Sequence, residues 1–279
     1  MKYWLSTGVR SVSGQLQALI FDVDGTLADT ERHGHRVAFN LAFQEAGLPV
    51  HLDELEYQQL LVIGGGRERL LYYFAQHPAL VEAEHAASLA AELHQRKTRI
   101  YTELVRGGAI PFRPGVERLL REGRELGLRL AVATTSHPQA AIALIESNLG
   151  DGSAHEWFDP LLAGNVVARK KPDPSIYALA LTQLNLPASA CLAIEDSRNG
   201  LLAALGAGLG CIVTVNSYTR HEDLRGAALV VSDLEATEPV GATPEVLADP
   251  LEVGPSTQVD VALLRQIQQR LTSSAISMG

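Results

Sequence analysis

Apolar positions recur with two different spacings along the chain, and the change of spacing divides it. The first regular stretch, Gln15-Leu-Gln-Ala-Leu-Ile-Phe-Asp22, is an apolar run that stops at Asp-x-Asp-Gly, the pattern of a strand meeting a turn. From Thr30 to about Arg106 the spacing is helical. Phe39, Phe43 and Ala46 share one face of a first helix closed by Gly47 and Pro49. After Gly64-Gly65-Gly66, the stretch Arg67 to Gln76 carries Leu70, Leu71 and Phe74. A long helix from about Val81 to Arg106 follows, with a stripe at Ala86, Ala90, Leu93, Lys97, Ile100 and Leu104. Beyond Gly107-Gly108 and the turn Pro111-Phe-Arg-Pro114, helix-like segments alternate with short apolar runs at Leu128–Ala133, Leu161–Ala163, Cys191–Ile194 and Gly210–Val215. That alternation predicts βαβ crossovers and a parallel sheet. Asp173-Pro174 reads as an N-cap followed by an N1 proline, opening a helix through Leu184.

The pattern therefore predicts an α/β core, residues 15–29 plus 108–232, with an all-helical insertion, 30–107, after the first strand. Residues 233–279 differ again. They hold seven acids (Asp233, Glu235, Glu238, Glu245, Asp249, Glu252, Asp260) against Arg265 and Arg270, and four of the 13 prolines. They read as a largely extended linker with a short amphipathic helix at about Val259–Leu271, docked on the core.

Composition narrows the function. No apolar run reaches the ~18–20 residues of a membrane helix. The net charge is −9 with no Lys/Arg cluster, which argues against nucleic acid as a partner. The two cysteines, Cys191 and Cys211, each open an apolar run and read as buried thiols of a reducing compartment. The first fifteen residues lack the apolar stretch of a secretory signal, so the expected location is the cytoplasm, or a plastid stroma in a photosynthetic eukaryote. A monomer is expected.

In an open α/β sheet, ligands sit at the carboxyl ends of the strands. There the sequence places Asp22-Val-Asp24-Gly25-Thr26, then Thr134-Thr135-Ser136, then Lys170-Lys171-Pro172, then Glu195-Asp196-Ser197. Carboxylates converging at strand ends repel one another unless a hard cation such as Mg²⁺ lies between them. A lysine and a hydroxyl beside them would neutralise phosphoryl oxygens. One aspartate could attack phosphorus, and a second, two residues on, could give and take a proton. These residues resemble the four motifs of the haloacid dehalogenase superfamily, in order and across the whole core. The resemblance implies Asp22 as nucleophile and Asp24 as general acid/base, with its main-chain carbonyl on Mg²⁺. It implies Thr134 and Lys171 as phosphoryl ligands, and Glu195 and Asp196 as completing the metal site with Asp22. Asp at position 24 points to phosphate esters rather than to dehalogenation.

The insertion resembles the four-helix cap of phosphatases and mutases in that superfamily. Lys97 interrupts an apolar stripe, where a cation is costly unless an anion meets it or its stem snorkels outward, and His94 lies one turn earlier. Gly64-Gly65-Gly66-Arg67-Glu68-Arg69 sets a flexible backbone at a helix N-terminus, followed by two guanidiniums that can fork onto a phosphate. Just past the nucleophile loop, Glu31 can accept sugar hydroxyls, and His35 or Arg36 can donate to them. Together these read as a second anionic subsite facing the first, so that a small sugar bisphosphate spans both. Here the likeness sharpens to CbbY-type phosphatases of xylulose-1,5-bisphosphate, associated with the Calvin cycle. It is carried by Phe21–Glu31, Gly65–Arg69, His94-x-x-Lys97, Ala131–Ser136 and Ser217–Glu222. That resemblance implies substrate contacts from Glu31, the 65–69 loop, His94, Lys97 and the segment after Thr134, including Thr135, Ser136 and His137. A β-phosphoglucomutase-like mutase is the alternative within the fold; a regulatory protein binding a basic partner through its acidic tail is the alternative outside it.

Overall fold

The computed structural model describes residues 15–63, 65–236, 243–254 and 257–277, with side chains through 273. The readings of the amino-terminal segment, of Gly64 and of Glu238 fall outside these residues.

Strand β1 (Ala18–Phe21) is the third strand from one edge of a seven-stranded sheet. On one side it is joined by β2 (Arg129–Thr134) and then β3 (Leu161–Ala163). On the other lie β4 (Cys191–Glu195), β5 (Gly210–Thr214), β6 (Leu229–Val231) and β7 (Val246–Ala248). All neighbours are parallel except β6 and β7. Alternate residues of β1 point to opposite faces, as the pleat requires. Leu19 and Phe21 join one buried cluster, and Ala18 and Ile20 join the other. Because both faces are covered, the strands are apolar almost throughout.

Register places the site. Phe21 pairs with Val132 on one side and Ile194 on the other, so Asp22, Thr134 and Glu195–Asp196 emerge together at the carboxyl edge. The order of connections reverses between β1 and β4, which opens the crevice there.

The insertion begins with a wide π-helical turn (Glu31–His35) that runs into α1 (Arg36–Glu45). Helices α2 (Glu54–Leu60), α3 (Gly66–Gln76) and α4 (Ala83–Arg106) follow. Asp53 caps α2 by accepting from the Glu56 N–H, and Glu56 returns the bond in a capping box. The remaining helices, α5 (Val116–Glu125), α6 (Pro138–Leu149), α7 (Ala154–Trp157), α8 (Ser175–Leu184) and α9 (Arg198–Gly206), belong to the sheet's crossovers and covering layers. Both cysteines are free and buried.

The tail is more regular than its charge suggests. Residues 246–248 form the antiparallel edge strand β7, and α10 (Val261–Ser277) packs on α5 and β4. Val259, Val261, Leu264 and Ile267 are fully buried. Several of its described acids are used within the chain. Asp233, Glu235 and Glu245 pair with Arg113, Arg118 and Arg220, and Asp260 caps α10 by accepting from the Leu263 N–H at 2.8 Å. Within the stretch read as an extended linker, residues 246–248 pair as the edge strand β7.

Arg113, in the chain's return from cap to core, is buried and donates to the carbonyls of Gly25, Thr214 (2.8 Å), Val215 (2.7 Å) and Ser232 (2.5 Å), and to Asp233 (3.0 Å). One guanidinium thus ties the nucleophile loop to the ends of β5 and β6.

Candidate active site

The core half of the site converges as its strand ends dictate. Lys171 Nζ lies 2.7 Å from Asp22 Oδ1 and 2.5 Å from Glu195 Oε1. Burial alone would lower the Lys171 pKa, but Asp22 and Glu195 hold it well above its usual value. Lys170 is exposed, so the lysine directly before proline is the one that enters the site. The Tyr177 hydroxyl donates to the same Glu195 oxygen at 2.5 Å. Burial, with Asp22 nearby, raises Glu195 to about 7 against the opposing pull of Lys171. Burial also drives Asp196 well above the usual carboxylate range, while Asn216 Nδ2 donates to its Oδ2 at 2.8 Å.

Oxygens of Asp22, Glu195 and Asp196 lie within 4.8 Å of one another. Such a set of buried hard oxygen donors fits a divalent cation of the Mg²⁺ type. Two glycines keep it open. A Cβ at Gly25 (φ +82°) would strike the Asp196 carboxylate, and one at Gly200 would strike that of Glu195. The Asp24 side chain turns away from this cluster. It accepts from Thr30 Oγ1 at 2.7 Å and from Ser136 Oγ, and burial, reinforced by Asp22, raises it to about 7. Thr134 is buried at the end of β2, where its Oγ1 accepts from the Ser136 N–H at 3.2 Å.

The cap half is centred on Lys97. It is 8% exposed, so its stem does not snorkel. Its Nζ lies 2.9 Å from His35 Nδ1 and over the rings of Phe39 and Tyr101, at 5.1 and 5.2 Å. Burial lowers Lys97 to about 8 and holds His35 well below its usual value, which leaves His35 neutral and accepting. Lys97, His35 and Tyr101 share a cavity of about 500 Å³ with Asp24, Thr135, Ser136 and His137. His94, lowered by burial and by Lys97, lies against Gly66.

Glu31 is oriented by two partners. Tyr57 donates its hydroxyl to Oε2 at 2.5 Å, and Arg69 Nη1 lies 3.7 Å from the same oxygen and donates to the Tyr57 hydroxyl at 3.1 Å. Arg69 is therefore committed inside the cap, whereas Arg67 and Glu68 are exposed at the start of α3 beside exposed Gly65. Arg36 is not brought to the cavity. It donates to the Leu52 carbonyl at 3.3 Å and lies 3.9 Å from Glu54. A separate cleft of about 670 Å³ lies behind the two cap linkers, where Arg32 and Arg220 are paired with Glu54 and Glu245.

Sequence reading missed Thr30, Tyr57, Tyr101, Arg113, Tyr177 and Asn216. Only Thr30 carried a signal, its closeness to the Asp-x-Asp turn.

Residues 16–208 match the model of the haloacid dehalogenase-like hydrolases. The chain belongs to that family. It is a phosphatase of it, and its relatives include protein CbbY (plasmid) of Cupriavidus necator, 43% identical over 81% of this chain and 89% of that protein. A CbbY variant from Rhodobacter sphaeroides, crystallised with xylulose-(1,5)bisphosphate, is 43% identical with a TM-score of 0.65, covering 78% of this chain and 94% of that one. A β-phosphoglucomutase described as putative, from Thermotoga maritima, is 28% identical with a TM-score of 0.62 over 77% and 94%.

Proposed function

We propose that this phosphatase removes one phosphoryl group from a small sugar bisphosphate with Mg²⁺, the best candidate being xylulose-1,5-bisphosphate, giving xylulose 5-phosphate and inorganic phosphate. The observation that carries this reading is Lys97, a buried cation whose cavity also holds Asp24. Two anionic groups of one small molecule suit one cation in the cap, Lys97, and another in the core, Lys171 beside Asp22. The bisphosphate bound by the CbbY relative supports the same class of substrate.

Asp22, Glu195, Asp196 and the main-chain carbonyl of Asp24 would hold Mg²⁺, which when bound neutralises charge on the phosphoryl oxygens. Lys171 holds Asp22 Oδ1 and leaves the other oxygen to attack phosphorus. Asp24, whose pKa of about 7 keeps it partly protonated at neutral pH, gives its proton to the leaving sugar oxygen as that P–O bond breaks. Asp22 is then an aspartyl-phosphate. Asp24, now a carboxylate, takes a proton from water, whose oxygen attacks phosphorus and frees inorganic phosphate and Asp22. Thr134 and Lys171 hold the phosphoryl group throughout. Glu31, with Tyr57 and Arg69 fixing it, receives sugar hydroxyls, and His94, Arg67 and the Gly65–Gly66 turn border the distal phosphate.

Likeness to the Thermotoga protein favours one second reading, transfer of the phosphoryl group back to sugar rather than to water. A panel of sugar mono- and bisphosphates scored for free phosphate separates the two. Under the main reading, Lys97→Ala or Arg67→Ala raises KM for a bisphosphate far more than for a monophosphate. Equal losses on both, or rearranged sugar phosphate without free phosphate, would overturn it.

A further inference from the structure

The loop after β5 reaches from the core's carboxylates to the cap. Asn216 anchors it. Its Nδ2 donates to Asp196, and its Oδ1 accepts from the N–H groups of Tyr218 (2.9 Å) and Thr219 (3.2 Å). Thr219 Oγ1 closes the turn by accepting from the Asn216 N–H at 3.1 Å. A turn held at so many points presents Tyr218 rigidly. Its ring meets the edge of cap residue Tyr57, centroids 6.1 Å apart at 65°, and Tyr57 is the donor that orients Glu31. Among the described residues, the buried Tyr218 hydroxyl has no hydrogen-bond partner, and neither has Nε of Arg36. An orphaned buried hydroxyl is costly, and native structures satisfy nearly all such groups. Burial pushes the Tyr218 phenol above its usual value; the Arg36 charge opposes that, while Asp29, Glu54 and Glu31 add to it.

We propose that Tyr218 is a positioning residue: through Tyr57 it sets Glu31 for the sugar, and its hydroxyl is satisfied only when the cap settles on bound substrate. This rests on the substrate reading above. The residue touches no reacting atom. It acts by fixing how the cap sits on the core, so its influence falls on ligands that reach both.

The test uses the full chain carrying Asp22→Asn, expected to bind without turnover, and measures calorimetric affinity for xylulose-1,5-bisphosphate and for inorganic phosphate. Tyr218→Ala keeps the Asn216 turn, whose bonds go to main-chain N–H groups. It should weaken the bisphosphate about tenfold, as expected for loss of about 1.4 kcal/mol of positioning, and phosphate less than about twofold. Tyr218→Phe keeps the ring and loses the hydroxyl. It should weaken the bisphosphate about threefold while leaving the melting temperature equal or higher, since an unsatisfied group is removed. Equal weakening of both ligands, or none, would overturn the proposal while leaving the substrate reading intact. Failure of the Asp22→Asn protein with native Tyr218 to bind the bisphosphate would defeat the substrate reading, and the proposal with it.

Discussion

Replacing Lys97 with methionine should make the substrate-free protein more stable and its grip on a bisphosphate weaker. The ammonium is buried, and its pKa falls from 10.5 to about 8 because burial outweighs the attraction of Glu31 and Asp24 and adds to the repulsion of Arg69. At 1.36 kcal/mol per pH unit, keeping it charged at neutral pH costs on the order of 3 kcal/mol. Methionine fills the same volume without charge but loses the hydrogen bond to His35, worth about 1 kcal/mol. The net gain is about 2 kcal/mol, or a rise of roughly 4–8 °C in melting temperature. The pH dependence fixes the cause. A depressed lysine pKa costs stability fully below the folded-state value of about 8, and the cost fades as pH rises toward 10.5. The variant's advantage should therefore be largest at pH 7 and shrink by pH 10. In the same protein KM for the bisphosphate should rise by at least tenfold, since a charge-assisted contact contributes about 1.5–3 kcal/mol. Differential scanning calorimetry at the two pH values and a phosphate-release assay test all three statements. A variant less stable than wild type at pH 7, or an advantage unchanged at pH 10, would refute the argument.

Asp24→Asn should lower kcat by about 10²–10⁴ with little change in substrate affinity, because proton transfer is lost while the fold of the loop is kept; stopped-flow kinetics with direct binding measures both. Ending the chain before Val259 exposes partners of four fully buried aliphatic residues, at about 1.5–3 kcal/mol each. That sum rivals the whole stability of an ordinary domain, so the truncated chain should fail to fold cooperatively in urea titration rather than keep its core reaction. Arg113→Leu strands the carbonyls of Gly25, Thr214, Val215 and Ser232, and should cost about 3–5 kcal/mol in the same titration.

How far the sequence disclosed this molecule depends on how local each signal is. Asp22, Thr134 and Glu195–Asp196 were readable because each sits at the end of an apolar run that parallel register aligns, and Lys171 because Lys-Pro follows the third run in the loop before α8. Lys97 was readable as a charge where the stripe demanded an apolar side chain. Strands β6 and β7 were not: each is three residues long, and unlike the equally short β3 neither is followed by a chemically distinctive motif. Tyr57 lies in Glu-Leu-Glu-Tyr-Gln-Gln-Leu, which reads as a solvated helix until α1 and α3 enclose it. Arg113 left no trace, because its acceptors come from segments about a hundred residues away. Arg36 shared every compositional feature of a substrate contact, yet the loop carrying Leu52 folds back and takes its guanidinium.

In the proposed reaction Asp22 itself receives the phosphoryl group. Rapid acid quench of the wild-type enzyme with Mg²⁺ and xylulose-1,5-bisphosphate, followed by peptide mass spectrometry, tests it most directly. One phosphoryl group is expected on Asp22 during turnover, and none with Asp22→Asn. Steady release of phosphate by an enzyme that never carries a phosphoryl group on Asp22, or by the Asp22→Asn protein, would contradict it.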